Sequence, residues 1–137
     1  MKKSFLILFT LLFSRYTTNA QTKDTSKTKT ESHIEVMPEF PGGATAMMQY
    51  IQKNIKYPKR ARKNDITGKC FLRFTVMKDG AIDSVKVLKG VSDCPECDEE
   101  AIRVVKSMPK WTPGSIDRKP VPVFFNMPIN FTIKHKD

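Results

Sequence analysis

The side chains best suited to chemistry are two cysteines in a C-x-x-C spacing, Cys94 and Cys97. Such a pair at the start of a helix can lower a thiol pKa and support disulfide exchange. Two cysteines cannot complete a zinc site, and Cys70 would be a third ligand with no histidine pair nearby. In an oxidising compartment the simplest interpretation is a local disulfide. Free thiols, or redox or metal chemistry at this pair, remain the alternatives.

No other residues form a recognisable catalytic set. The two histidines, His33 and His135, stand far apart and have no serine or cysteine nucleophile at a known spacing. Four clustered acids have the pattern of a helix start, since carboxylates favour the first turn: Glu96, Asp98, Glu99 and Glu100. No phosphate loop or dinucleotide fingerprint occurs. The sequence therefore predicts no enzyme, no metal, no cofactor and no small-molecule substrate.

The first 20 residues have the pattern of a secretory signal peptide. A basic start, Lys2 and Lys3, precedes an apolar run over residues 5–13, and small residues end at Ala20. Spanning a bilayer takes roughly 20 apolar residues, and this run has about half of that. We expect cleavage after Ala20 and a periplasmic location. The alternative is an inner-membrane anchor over residues 4–14 that leaves the rest of the chain on the periplasmic side.

Length and composition indicate one small basic domain behind a linker. The 137 residues carry a net charge of +10, which falls to +7 when residues 1–20 are removed with Lys2, Lys3 and Arg15. Basic charge of this size can indicate nucleic-acid binding. Export and the lack of an aromatic and basic binding surface argue against it. Residues 21–35 are polar and predict a disordered linker, so we place the domain at residues 36–137.

The first half of the domain predicts two helices and a hairpin. A helix over residues 44–54 follows the loop at Gly42-Gly43, and a short one over 59–64 follows Pro58. The first has one apolar face, formed by Met47, Met48, Ile51 and Ile55. Residues 69–77 and 81–88 predict two strands joined at Asp79-Gly80, which supply positive φ angles. Cys70, Leu72, Phe74 and Val76 alternate toward the core, and a bulge is expected near Asp83-Ser84.

The second half predicts a helix and a long edge strand. The helix covers residues 98–108, with a core stripe of Ala101, Ile102, Val105 and Met108. Residues 120–133 then alternate as one strand. Because Pro122 and Pro128 have no amide donor, this strand is expected at a sheet edge. The fold class is α+β, a three-stranded antiparallel sheet with two helices packed on one face in the order α-β-β-α-β.

The order and spacing of the turn and boundary motifs over residues 34–133 resemble the C-terminal domain of TonB. The form is the one common among Bacteroidetes-like proteins. The matching motifs are Val36-Met37-Pro38-Glu39-Phe40-Pro41-Gly42-Gly43, Tyr57-Pro58, Gly68, Lys78-Asp79-Gly80, Asp98-Glu99-Glu100-Ala101, Trp111-Thr112-Pro113 and Pro128-Ile129-Asn130-Phe131. The resemblance implies a binding module of the periplasm that takes part in TonB-dependent transport across the outer membrane.

The resemblance also implies a binding site. In the family, the edge strand takes up the TonB box, a short N-terminal segment of an outer-membrane receptor, by β-strand addition. The matching positions here are Val123, Phe124, Phe125, Asn126, Met127, Ile129, Asn130 and Phe131. The family's loop before Tyr57-Pro58 also touches the receptor, and here it contains Lys53, Asn54 and Lys56. The usual Gln beside the Tyr is absent from this chain.

The expected partner is therefore a TonB-dependent outer-membrane receptor. The motor complex of a full-length transducer and a homodimer are left open as further partners. The apolar run lacks the intramembrane His that a complete transducer uses, so the module is expected to bind without transmitting force on its own. It would then be an accessory or decoy module, or a subunit that works beside a full-length transducer. The alternative is a stand-alone envelope interaction domain with an unrelated protein partner and no energy transduction.

Overall fold

The computed structural model describes residues 36–134. The predicted signal peptide and linker lie outside the described residues, as do His33 and His135. The described elements, in chain order, are α1 (Gly43–Asn54), α2 (Lys59–Lys63), β1 (Gly68–Val76), β2 (Ile82–Lys89), α3 (Pro95–Lys106), β3 (Gly114–Ile116), β4 (Lys119–Val121) and β5 (Val123–Phe131). No helix among these is long and apolar enough to cross a membrane.

The main sheet has three antiparallel strands in the order β2-β1-β5. This confirms the predicted fold class, with β1 in the centre and β5 at one edge. The register pairs Phe74 with Phe125 and Arg73 with Asn126. The predicted strand over residues 120–133 is wrong in one respect. It is interrupted at Pro122, and its first residues belong to β4, which pairs with β3 in a separate small hairpin.

The core forms between the inner face of the sheet and the helices. Strand alternation works as predicted: all four inward residues of β1 are fully buried. β5 adds Val123, Met127, Ile129 and Phe131, and α3 adds Cys97, Ala101, Val104 and Val105. Of the predicted α3 stripe, Ala101, Val105 and Met108 are buried and Ile102 packs partly buried against the core, while Val104, which the prediction did not include, is fully buried.

Two predicted helix features need correction. Met48 is 55% exposed, so it does not belong to the core face of α1. No residue of α1 is fully buried; Met47, Tyr50 and Ile51 are only partly covered. The third helix starts at Pro95, three residues before the predicted start, because Cys94 caps it and Pro95 fits the first helical turn.

The hairpin between β1 and β2 is irregular where the sequence predicted it. The register shifts between Arg73 and Thr75, and Ser84 has a φ of +53°, which confirms the bulge. In the turn only Gly80 has a positive φ, so that prediction was wrong for Asp79. The Asp79 carboxylate instead accepts a hydrogen bond from the Ala81 amide at 3.0 Å.

Candidate functional site

The free edge of β5 is the first component of the site. Within the described residues β5 pairs only with β1, so its other side has no strand neighbour. Its side chains alternate: Val123, Met127, Ile129 and Phe131 are buried, whereas Phe124, Asn126, Pro128 and Asn130 are exposed. An unpaired edge of this kind is a template for another extended chain.

Pro128 reveals which main-chain groups of β5 face outward. A proline inside a strand is tolerated where its missing N–H would point away from the neighbouring strand. Main-chain groups alternate direction along a strand with the same period of two as the side chains. Phe124, Asn126 and Asn130 are in phase with Pro128, so their amides and carbonyls point away from β1. Pro128 leaves one gap in this row of donors.

The side chains next to this edge are held on the open face of the sheet. The Arg73 Nε donates a hydrogen bond to Asn126 Oδ1 at 2.9 Å. The Arg73 guanidinium also lies 6.0 Å from the centroid of the Phe124 ring, within cation–π range. These contacts direct the Phe124 and Asn126 side chains away from the helices. The main chain is therefore the part of the edge that is free to pair.

An apolar groove runs beside the C-terminal half of β5 and is the second component of the site. It has a volume of about 690 Å³ and lies between α1 and the strand edge. From α1 and the segment after it, the groove is lined by Met48, Ile51, Gln52, Ile55, Tyr57 and Arg62. From β5 and the residues after it, the lining is Pro128, Ile129, Asn130, Phe131, Thr132, Ile133 and Lys134.

The Phe131 end of the groove carries a cation. The Tyr57 ring meets the Phe131 ring edge to face, with centroids 5.8 Å apart. The Arg62 guanidinium lies over the Tyr57 ring, 5.9 Å from its centroid. Burial is the largest cause of the raised pKa of Tyr57, so the ring stays neutral. Of the groove residues, only Ile129, Asn130 and Phe131 were predicted from sequence as binding positions; those of α1 and the segment after it were not. The adjacent pair Met47-Met48 was the available signal, because neighbours on a helix point about 100° apart and cannot share one core face.

The predicted loop residues Lys53, Asn54 and Lys56 do not line the groove. The structure places this segment against α3. The Lys56 amide donates to Glu100 Oε1 at 2.7 Å, and the Asn54 carbonyl accepts from Arg103 at 2.7 Å. Hydrogen bonding from Arg103 is the largest cause of the lowered pKa of Glu100. The sequence-predicted site thus separates into the β5 edge, beside the groove, and a loop fixed to α3. The role of that loop in receptor binding stays a prediction.

The cysteine pair is part of the core. Cys94 and Cys97 are joined as a disulfide with Cα atoms 5.2 Å apart, and both are fully buried. The Cys97 amide donates to the Cys94 sulfur, so the pair closes the N-terminus of α3. Cys70 is a buried thiol whose pKa is raised to about 12, chiefly by burial and further by Asp98. An exchange reaction needs an exposed thiolate, and none of these three sulfurs offers one.

Thiol labelling should therefore detect no reactive cysteine in the native exported protein. After unfolding without a reductant we expect one labelled thiol, Cys70, and after unfolding with a reductant three. The physical reason is that Cys70 is buried and protonated at neutral pH, while Cys94 and Cys97 carry no free thiol. Mass spectrometry after alkylation gives the count. Two or more adducts on the native protein would contradict the structural role of the pair.

Metal binding has no support from side-chain grouping. Within residues 36–134 no three His, Cys, Asp or Glu side chains are placed to hold a metal ion. Three of the four acids of α3, Glu96, Asp98 and Glu100, make local contacts. Glu96 accepts from Arg60 at 2.6 Å and 2.8 Å, and this pairing lowers the Glu96 pKa to about 2. Asp98 accepts from the Val91 amide at 2.9 Å.

Comparison with known proteins agrees with this geometry. Residues 53–133, more than half of the chain, match the family model described as Gram-negative bacterial TonB protein C-terminal. A solution structure of the Helicobacter pylori TonB C-terminal domain, residues 194–285 of that protein, is 26% identical. It has a TM-score of 0.51, and the alignment covers 67% of this chain and 95% of that one. A longer fragment, residues 179–285, is also 26% identical, with a TM-score of 0.46 and coverages of 70% and 89%.

A comparison with curated protein sequences finds no match. The family match nonetheless extends from the end of α1 through β5. Both components of the candidate site, the β5 edge and the groove beside it, fall largely within it. The chain therefore belongs to the TonB C-terminal domain family, a family of periplasmic, non-enzymatic domains that serve TonB-dependent transport.

Proposed function

We propose that this domain binds the N-terminal segments of TonB-dependent outer-membrane receptors by adding them as a fourth strand to β5. The observation that carries the proposal is the free edge of β5, whose outward main-chain groups lie in phase with Pro128. In strand addition, main-chain hydrogen bonds supply affinity and alternate side chains supply selectivity. The residues proposed for pairing are Val123, Phe124, Phe125, Asn126 and Met127, with extension through Ile129, Asn130 and Phe131.

The number of outward groups sets the expected affinity. Phe124 and Asn126 each offer one donor and one acceptor between the prolines, and Asn130 adds a further pair. Each hydrogen bond contributes roughly 0.5–1.5 kcal/mol net. Ordering a flexible peptide and losing its translational freedom offset much of this gain. We therefore expect dissociation constants that are micromolar or weaker, which suits a contact that must form and release.

Calorimetric titration with synthetic receptor N-terminal segments tests the proposal. A matching segment should bind with a micromolar dissociation constant. The same segment with a proline at its central position should lose at least about tenfold in affinity, because it forfeits a donor and a strand conformation. Equal binding of the two peptides would refute strand addition. No binding of any receptor segment would favour an unrelated envelope partner.

We also infer that the mature protein begins after Ala20, with a linker over residues 21–35 and the domain from residue 36. The apolar run at residues 5–13 supports this by its length, about half of a membrane span. The motif spacing further supports the Bacteroidetes-like form of the family. Intact-mass measurement of periplasmic protein should give a chain starting at Gln21. Recovery of the full-length mass from alkali-washed inner membranes would instead support an anchor over residues 4–14.

Under this proposal the domain works beside a full-length transducer. The receptor segment is captured at β5, and a motor complex acts through the partner transducer. The loop of Lys53, Asn54 and Lys56 is proposed as a secondary receptor contact. It lies on the α3 side of α1, so it would touch a part of the receptor other than the added strand.

A further inference from the structure

We propose that the exposed flank of α1 selects the receptor segment, by contacting the side chains of the added strand that face the helix layer. The ligand is an extended peptide with two apolar residues at alternate positions and a carboxylate at the end that meets Phe131. This inference rests on the proposed strand addition at β5. It assigns specificity to residues outside the strand itself, chiefly Met48 and Arg62.

The groove lies on the side of the β5 edge toward which alternate side chains of an added strand would point. A strand added to β5 lies about 4.8 Å from it, with alternate side chains on opposite sheet faces. The helices cover one of these faces, and the groove opens on that side of the edge, between β5 and α1. Inward side chains of the added strand therefore enter the groove where that strand extends past Pro128. Outward side chains lie on the open face, near Phe124 and Arg73.

The length of the α1 flank sets the number of side chains it can contact. Met48 and Ile55 are seven residues apart, which corresponds to about 10 Å along a helix. Side chains on one face of a strand recur about every 6.8 Å. The flank thus spans two successive inward positions. This repeat is the reason for predicting apolar residues at positions i and i+2 of the ligand.

The surface of this flank is apolar and only partly covered. Met48 is 55% exposed, and Ile51 and Ile55 are half-buried. Methionine adapts its shape to different partners because it is unbranched and polarizable. An added strand would cover this surface, which the three-stranded sheet leaves open. The contact gives a reason for Met48 to lie outside the core.

The positive charge at the Phe131 end of the groove indicates which charge the ligand carries there. Arg62 and Lys134 line the groove, and none of its lining residues is an acid. Arg62 is held over the Tyr57 ring, which contacts Phe131, so the cation is placed at the Phe131 end. A carboxylate on the ligand complements this end, whereas a lysine or arginine there is repelled. Charge complementarity across an interface contributes specificity more than affinity.

The test pairs two variants of α1 with two peptides of equal composition. Met48→Lys places a charge in the groove. Gln49→Lys adds the same charge at the next exposed position, which does not line the groove. One peptide carries its two apolar residues at i and i+2, the other at i and i+1. We expect the native exported protein to bind the alternating peptide about tenfold more tightly, the factor expected when one side chain loses its apolar contact.

Met48→Lys should remove this preference, and Gln49→Lys should keep it. A second pair of peptides, which carry Glu or Gln at the end that meets Phe131, tests the role of charge. Arg62→Gln should reduce the preference for the Glu peptide by up to about fivefold. Lys63→Gln, at the exposed neighbouring position, should not change it. If both peptides bind the native protein equally, or if Met48→Lys and Gln49→Lys behave alike, the role of α1 is refuted while strand addition stands. If neither peptide binds the native protein, the proposed function itself has failed.

Discussion

Replacing Asn126 with proline is expected to abolish peptide binding while the domain stays folded. Asn126 is in phase with Pro128, so its amide points away from β1 and is free to pair with an added strand. Proline removes that donor, and its ring obstructs the approach of a neighbouring strand. The adjacent in-phase position already holds a proline in this strand, so the backbone tolerates the change. The loss should exceed tenfold, because one of the two outward donors between Pro122 and Pro128 disappears and the proline ring obstructs pairing.

Asn126→Ala is the matched control for this variant. It keeps the amide and removes the side chain, along with the hydrogen bond from Arg73 on the open face. We expect its affinity to remain within about twofold of native, since neither change touches the outward main chain. Calorimetry gives the affinities, and circular dichroism confirms that each variant is folded. Equal loss of binding in both variants would assign recognition to the Asn126 side chain instead of the backbone.

Trp111→Ala is expected to cause a large loss of stability. The side chain is 3% exposed and meets three aromatic rings edge to face, with centroids 4.9 Å from Phe125, 5.4 Å from Phe74 and 5.8 Å from Phe40. Removing a buried Trp lowers the free energy of unfolding by about 3–5 kcal/mol. Small domains have about 5–15 kcal/mol in total. Urea denaturation followed by circular dichroism measures the change.

Trp111→Phe is the control that separates ring packing from polarity. The Trp111 Nε1 has no hydrogen-bond partner among the described residues, so the substitution costs no such bond. Phe retains part of the ring contacts, and we expect its loss to be clearly smaller than that of Ala. A loss below about 1 kcal/mol for Trp111→Ala would mean that neighbouring side chains fill the vacated space, which would contradict the expected stabilisation by the ring contacts.

The strands were predictable from sequence because their pattern is local. Cys70, Leu72, Phe74 and Val76 alternate without interruption, and a period of two assigns a face to each residue. Pro128 indicated an edge strand because a missing donor is tolerated only there. The β3–β4 hairpin was not predicted because its turn gives no clear sequence signal. Its turn residues Asp117 and Arg118 both have positive φ angles, yet there is no glycine at the turn to signal it.

The groove as a whole could not be predicted, because the one local signal, the adjacent pair Met47-Met48, does not indicate which segment lies opposite α1. It joins a flank of α1 to the end of β5, segments about 80 residues apart along the chain. The apolar period of α1 indicated a single core face, but Met48 remains 55% exposed. Tyr57 acquires its role through its contact with Phe131, and Arg62 acquires its role through its contact with Tyr57. Such a site follows from how the elements pack.

Amide hydrogen exchange measured residue by residue, with and without a receptor N-terminal peptide, tests strand addition most directly. A strand paired to β5 must engage the outward amides of Phe124 and Asn126, which are unprotected in the free domain under this account. The account predicts that these two amides become protected on binding, together with that of Asn130 when the peptide extends past Pro128. The inward amides of Phe125 and Met127, already bonded to β1, should change little. Binding that leaves Phe124 and Asn126 unprotected, with new protection confined to β2 or α3, would contradict it.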